Sequence, residues 1–538
     1  MRAAARGAAA LLIGGCIQVA GHVTPAQAAP THAAAAAAPL PATRLEFGLG
    51  NGPGDLSWMT ASGVPWKYRY QYLAGGVNTP NPWETWQDLS LPPGQFAADY
   101  MKSSNDNGCI PVFTWYELLQ SNPSTGTSES ERDYNNLNNT ATMNAYFASF
   151  KRLMVKAGLF GKQVVVHVEP DLWGYLQQRA TGDASTVSAS VASSGFADVA
   201  AIPNTVQGFG WAMLHMRDLY APNALLAIHA SPWSNGGDIA SSTNPGMNVV
   251  AIADSTAAFL SSTGITSNPY GSTWDVVFND LDDHDAGWWE KQAVNHWWDP
   301  TNTTFPNFSR YFVWVAELKV KTNRQQVAWQ VPAGNQYFLT MNNTCGHYQD
   351  NVAQYFIAHP SDLLAAGLVA VMFGKGNGCQ TTYIDYGDHD LFPSHPVGDG
   401  VTNNGTTNIP IGPPTSDTWG WCNACNTHVS TYADDDGGYL RLFVGQYYAS
   451  ARLPVSQSSP NPAGDRAVNQ SNPPSPGPRN AVAPPAVSST PAPRTAVVLP
   501  APASPVPPAT AATSGDAELW LRIRAVISSL EAVLRLFV

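Results

Sequence analysis

The chain has 538 residues, a net charge of −12 and only 12% charged residues, about half the share of an average soluble domain. That length accommodates one large domain with appendages and a sizeable core. The acidic balance and the lack of any Lys/Arg run exclude a nucleic-acid partner. With 18 Trp and 20 Tyr, the composition suits an exported protein that binds neutral, hydroxyl-rich ligands.

The N-terminus has the layout of an export signal. Arg2 and Arg6 precede an apolar run from Ala8 to Ala20, and Ala26-Gln27-Ala28 offers a cleavage site of small residues. Residues 1–28 are therefore expected to be a signal peptide, which places the mature protein outside the cell. Ile13-Gly14-Gly15-Cys16 is an imperfect lipobox, which gives a lipid anchor at Cys16 as the alternative. No other stretch is long and apolar enough to span a bilayer. Residues 29–42 are Ala/Pro-rich and expected to be disordered.

Eight strand-like runs follow: Leu45–Gly50, Tyr68–Ala74, Ile110–Tyr116, Val164–Glu169, Leu225–His229, Val276–Asp280, Gln326–Val331 and Leu368–Phe373. The intervals are mostly long enough for helices, as parallel strands require. Eight such strands close into a (β/α)8 TIM barrel over residues 43–452. Met143–Ala157 fits a 3.6-residue period and is expected to stop at Gly158; Asn351–Ile357 and Ser361–Ala366 precede the eighth strand. A Rossmann arrangement lacks its Gly-x-Gly-x-x-Gly fingerprint. Residues 453–515 are rich in Pro, Ala and Ser, a linker composition, and 516–538 carry the apolar spacing of an amphipathic helix.

Five Cys remain beyond the signal. In an oxidising compartment they suggest two disulfides, with Cys345 and Cys379 in neighbouring loops and Cys422-x-x-Cys425 closing a small one. Cys109 is then a buried free thiol. A zinc site at Cys422 and Cys425 has only His428 nearby.

In a barrel the C-terminal strand ends share one face, so the residues there can be read as one site. The first strand ends in Gly48-Leu49-Gly50-Asn51-Gly52-Pro53-Gly54, a loop open to close ligand approach. The third offers Trp115 and Glu117; the fourth His167, Glu169, Asp171 and Trp173; the fifth His229 and Trp233; the seventh Gln330 and Asn335. The sixth carries the densest acidic cluster, Asp280-Leu281-Asp282-Asp283-His284-Asp285. Alternation puts Val165, His167 and Glu169 on one side of the fourth strand. If that side is the lumen, apolar walls raise the Glu169 pKa as a general acid requires. An ion pair of Glu169 with Arg69 is the structural alternative, and a satisfied core histidine is the structural alternative for His167.

Glu169-Pro170 at the end of the fourth strand resembles the general-acid position of the large clan of (β/α)8 glycoside hydrolases, which usually reads Asn-Glu-Pro. The resemblance implies a barrel over residues 45 to about 450 and carboxylate chemistry on glycosidic bonds. The chain departs from the pattern at Val168, where that clan has Asn, and at Gln330, where it has its Glu nucleophile. Glu169-Pro170-Asp171 is also similar to a triplet of the cellulase family with a distorted barrel, whose Asp-Arg-Asp acid motif is missing here. The partner of Glu169 is therefore expected on the sixth strand, at Asp280 or Asp282, with Asp171 as an alternative base. Their wide separation suits an inverting mechanism.

The expected enzyme is thus a secreted glycosidase with Glu169, Asp280, Asp282 and Asp171 as catalytic candidates and no cofactor. Trp115, Trp173 and Trp233 would stack on sugar rings, and Glu117, His167, His229, Gln330 and Asn335 would bind hydroxyls. Calcium at Asp280, Asp282 and Asp285 is the competing use of the acidic cluster. A silent carbohydrate-binding protein on the same scaffold is the alternative function, and a polysaccharide lyase with a Tyr, His or Lys base a third. Serine chemistry lacks a Gly-x-Ser-x-Gly elbow, and there is no His-Glu-x-x-His zinc motif.

Overall fold

The computed structural model describes residues 38–384, apart from 88–89, 236, 283, 339–340, 342, 344 and 377–379, together with 437–450. The signal peptide, Cys16, Cys379, Cys422, Cys425, the linker and the terminal helix expected from the sequence lie outside the described residues.

Eight parallel strands close into a barrel in chain order. They are β1 (Glu46–Gly50), β2 (Tyr68–Leu73), β3 (Ile110–Trp115), β4 (Val164–Val168), β5 (Ala224–His229), β6 (Val276–Asn279), β7 (Gln325–Val331) and β8 (Leu368–Phe373). Each differs from its sequence-derived counterpart by at most one residue at either end. The apolar runs are continuous because both faces are buried, one in the lumen and one under helices. Crossovers carry α1 (Leu56–Ala61), α2 (Gln95–Asp106), α3 (Glu129–Leu137), α4 (Thr140–Phe160), α5 (Pro170–Arg179), α6 (Val206–Tyr220), α7 (Val249–Leu260), α8 (Ala286–Lys291), α9 (Phe308–Thr322), α10 (Val352–Ala358) and α11 (Pro360–Ala366). After β8 comes α12 (Gly438–Ala449). Among the described residues no helix is long and apolar enough to cross a membrane.

Local chemistry sets the helix limits. The Asn139 side chain caps α4 by accepting from Thr142 N at 3.0 Å. The helix does not stop at Gly158 but runs on to Phe160, and ends at Gly161 with φ of 68°. Gly158 has another purpose: a Cβ there would lie 2.0 Å from the Tyr220 carbonyl at the end of α6. It marks a close approach of backbones, not a helix end. Gly48 and Gly50 likewise lie within β1 and not in an open loop. A Cβ on Gly48 would come 2.6 Å from Tyr68 Cβ, and one on Gly50 2.7 Å from the Tyr70 ring. Their function is to let the β2 tyrosines fill the lumen.

The lumen is packed by Tyr68, Tyr70, Val112, Val165, Phe278 and Trp329, among others. Leu40 joins this cluster and is buried. Its backbone exchanges two 2.9 Å hydrogen bonds with the Gln325 side chain. Ordered structure thus reaches into the Ala/Pro-rich segment, because one large apolar residue there can enter the lumen core. At the other chain end, α12 covers β1. The Tyr448 hydroxyl accepts from Phe47 N and donates to Glu46 Oε2, both at 2.9 Å. Cys109 is a buried free thiol.

Candidate active site

Strand alternation decides what reaches the barrel mouth. Val112 faces the lumen, so Trp115, an odd number of residues later, faces the helices. It is fully buried against Trp83, Tyr146 and Phe150. Trp173, on α5, donates from Nε1 to the Val168 carbonyl at 2.8 Å and packs on Phe209 and Trp274. Burial removes both from the set of sugar platforms; they are core. Trp233 is half-buried, its ring 4.9 Å from Tyr175.

Glu169 is not where alternation puts it. The residue adopts left-handed φ and ψ of 43° and 72° as the N-cap of α5, an uncommon conformation for a non-glycine side chain. Its Oε1 accepts from the backbone N–H groups of Glu117 and Leu118 at 3.1 and 3.2 Å. The Tyr146 hydroxyl of α4 also bears on it. The carboxyl therefore points under the turn after β3, towards the helix layer, while His167 stays in the lumen. Arg69 is no partner for it. Its guanidinium binds Asn51, Ser103, Ser104 and the Gly52 carbonyl on the α2 side of β2.

Glu117 and Asp133 are buried in the same region. Burial pushes Glu169 up to about 8, against the pull of the two N–H groups and Tyr146. Burial first, and then Glu169 and Glu84, hold Glu117 well above the carboxylate range. Burial, Glu169, Glu129 and Asp171 push Asp133 up to about 9. All three prefer the neutral acid at pH 7, since a buried carboxylate without a cation is costly. Glu117, expected to bind hydroxyls, is fully enclosed in this cluster.

The sixth strand supplies the carboxylate at the mouth. Asp280 Oδ1 lies 3.1 Å from His229 Nε2, and His229 Nδ1 lies 3.0 Å from His167 Nε2. Both imidazoles are buried, whereas the Asp280 side chain keeps 18% of its surface exposed. Burial, then His229, holds His167 well below the usual imidazole range. Trp329 meets both rings edge-on, with centroids 4.8 and 6.0 Å away, and Phe278 covers His167 at 4.5 Å. Enclosed in this way, the two histidines are buried polar links and cannot themselves contact substrate hydroxyls, as the sequence had suggested.

Asp282 is engaged elsewhere: Oδ1 accepts from His284 N at 3.0 Å and Oδ2 pairs with His296. The buried Asp285 accepts from Gly334 N at 3.1 Å and Thr381 N at 2.8 Å. Asp280, Asp282 and Asp285 thus face different partners, and among the described residues no three His, Cys, Asp or Glu side chains group as a metal site. Asp283 lies outside the described residues. Asn335 is buried, and its Oδ1 accepts from Tyr337 N and Phe338 N at 2.9 and 3.0 Å. It shapes its own turn, as Asn side chains do in loops, and does not reach the mouth.

Gln330 does reach it. With φ of 55° it breaks the alternation of β7, and its Oε1 accepts from the Tyr72 hydroxyl at 2.5 Å. Next to Tyr72, at a ring-centroid distance of 6.1 Å, the Tyr116 hydroxyl donates to Glu129 Oε1 at 2.7 Å. Asp171 is half-buried at the start of α5. The Tyr175 hydroxyl is raised by burial first and then by Glu129, Asp171, Asp133 and Asp280, so Asp171 and Asp280 both act on one ring. Trp329 and Glu129 escaped sequence reasoning. Alternation with Val327 would have placed Trp329 in the lumen; Glu129, beyond a long loop, left no signal.

No family model matches the chain, and no curated protein matches it. Solved structures similar to it include a modular endo-β-1,4-mannanase of glycoside hydrolase family 26 from Cellulomonas fimi. The identity is 12% over 65% of this chain and 69% of that one, with a TM-score of 0.35. Endo-glycoceramidase II from Rhodococcus sp. is 8% identical over 63% and 74%, with a TM-score of 0.36. The carboxyl transferase domain of Rhizobium etli pyruvate carboxylase is 9% identical over 65% and 44%, with a TM-score of 0.30. Glycoside hydrolases are among the proteins the chain is similar to. Enzymes of unrelated chemistry share that likeness, so function must be argued from the site.

Proposed function

We propose that the protein is an exported glycosidase that hydrolyses glycosidic bonds at the C-terminal mouth of its barrel. The observation that carries this reading is Asp280: a partly exposed carboxylate held by a buried imidazole, whose charge acts on the half-buried Tyr175, the ring partner of Trp233. Glycoside cleavage needs such a carboxylate to activate water or attack the anomeric carbon, plus an acid to protonate the leaving oxygen. The two β4-end acids divide the acid's requirements. Glu169 carries the proton at neutral pH but sits behind the 117–118 turn, whereas Asp171 has access. Export is supported by the Arg2/Arg6 and Ala-rich leader pattern.

The test is release of reducing ends from soluble β-glucan, mannan, xylan and chitin oligomers. The native protein should cleave at least one, and Asp280→Asn should lose at least about 10³-fold of that rate while staying folded. An aryl glycoside with a good leaving group bypasses the acid, so it should restore the rate of whichever of Glu169→Gln and Asp171→Asn removes the donor. A second reading, a non-catalytic sugar-binding barrel, is favoured by Gln330 in the β7 position and by the burial of Glu169. Binding without cleavage of any substrate would establish it.

A further inference from the structure

The Asp280–His229–His167 chain carries an inference that rests on the hydrolase reading and deepens it. An ionised carboxylate only accepts hydrogen bonds, so His229 Nε2 must carry a proton to bind Asp280 Oδ1. In neutral His229, Nδ1 is then bare and accepts from His167 Nε2–H. With Asp280 ionised, this is the one order of protons that keeps both imidazoles neutral and both hydrogen bonds formed; it leaves His167 Nδ1 bare and buried, with no hydrogen-bond partner. The tautomers follow from the network rather than from visible hydrogens. Phe278 and Trp329 close the remaining space around the rings.

We propose that His229 and His167 are positioning residues for the reaction: a neutral, tautomer-locked imidazole pair that holds Asp280 by one oxygen and leaves the other for substrate. The pair aligns two N–H dipoles towards the carboxylate and adds no net charge to the lumen. A lone His229 could turn its other tautomer to Asp280; His167 prevents this by requiring an acceptor at Nδ1.

Two measurements on the full chain test this. In the first, the protein is labelled with 15N-histidine and its long-range imidazole spectrum is recorded, with His167→Gln and His229→Gln used for assignment. Both residues should be neutral with Nε2 protonated, and His229 should change tautomer or charge in Asp280→Asn. A charged pair, or Nδ1-protonated His229 in the native protein, would overturn the proposal whether or not any sugar is cleaved. In the second, rates are measured on whichever of the four polysaccharides is cleaved fastest. His229→Ala should lower kcat about 10- to 100-fold, the loss of one hydrogen bond to a charged group, with KM within about threefold. His229→Gln places an N–H near the same point and should regain most of kcat, and added imidazole should partly rescue His229→Ala. Loss of activity in Asp280→Asn with full kcat in a folded His229→Ala would refute the positioning role and spare the hydrolase reading. Full activity in Asp280→Asn would refute the catalytic role of Asp280 and the positioning proposal with it, whereas the hydrolase reading itself falls only if the native protein cleaves none of the four.

Discussion

Replacing Glu169 by Gln tests the central electrostatic feature of the β4 end. Glutamine keeps Oε1 as the acceptor for Glu117 N and Leu118 N and mimics the shape of the protonated acid. The native carboxyl moves from an ordinary 4.5 to about 8 on burial. An acid raised by folding binds more protons folded than unfolded between those values, so stability is greatest in acid and falls as pH rises from about 4.5 to 8. The slope is about 1.4 kcal/mol per pH unit for one group. Between pH 5 and 8, Glu169→Gln should therefore gain about 4 kcal/mol on the native protein, starting from near parity. The other buried acids, Glu117 and Asp133, are common to both proteins and largely cancel from the difference. Urea denaturation followed by circular dichroism at pH 5, 6, 7 and 8 reads it directly. A difference that stays constant across this range would mean that Glu169 is ionised throughout in the folded protein, and the desolvation argument would fail.

Three further outcomes follow from the packing. Trp173→Ala should cost about 3–5 kcal/mol of stability, as for any buried Trp, whereas Trp233→Ala should weaken sugar binding and leave the melting temperature within a few degrees; calorimetry and affinity electrophoresis separate the two. Asp285→Ala strips Gly334 N and Thr381 N of their buried acceptor, so chemical denaturation should show a loss of about 2–4 kcal/mol. Gly158→Ala, with its Cβ 2.0 Å from Tyr220 O, should destabilise by at least about 1–3 kcal/mol despite the better helix propensity of alanine, which a thermal melt checks.

The barrel was legible because each strand is a short apolar run bounded by polar turns, and burial on both faces leaves no other use for such runs. Trp115 and Trp173 show where that legibility ends. Lying near a strand end does not say which face a side chain takes, and one step of alternation separates a platform from a core residue. Leu40 and α12 were missed for a related reason. Their burial depends on distant partners, Gln325 for the first and Glu46 and Phe47 for the second, that no local pattern announces. Asp282 and Asp285 lie close to Asp280 in sequence, but each is bound by groups from other parts of the chain, among them His296 and Thr381.

The two positions that the family resemblance singled out, Glu169 and Gln330, share a property invisible in composition or period. Both are non-glycine residues with positive φ, 43° and 55°, at the ends of β4 and β7. Each inverts the alternation of its strand, with opposite results. Alternation from His167 would send Glu169 inward, and the turn takes its carboxyl to the helix side. Alternation from Trp329 would send Gln330 outward, and the turn brings its amide to Tyr72 at the mouth. A left-handed non-glycine residue costs about 1–3 kcal/mol and persists only where its surroundings enforce it. The backbone N–H groups of Glu117 and Leu118 provide that enforcement at Glu169, and the Tyr72 hydroxyl does so at Gln330. An acid is thereby withdrawn on one side of the lumen and an amide presented on the other. Asp280, on a strand end between them, keeps part of its carboxylate exposed, as does Asp171 at the start of α5.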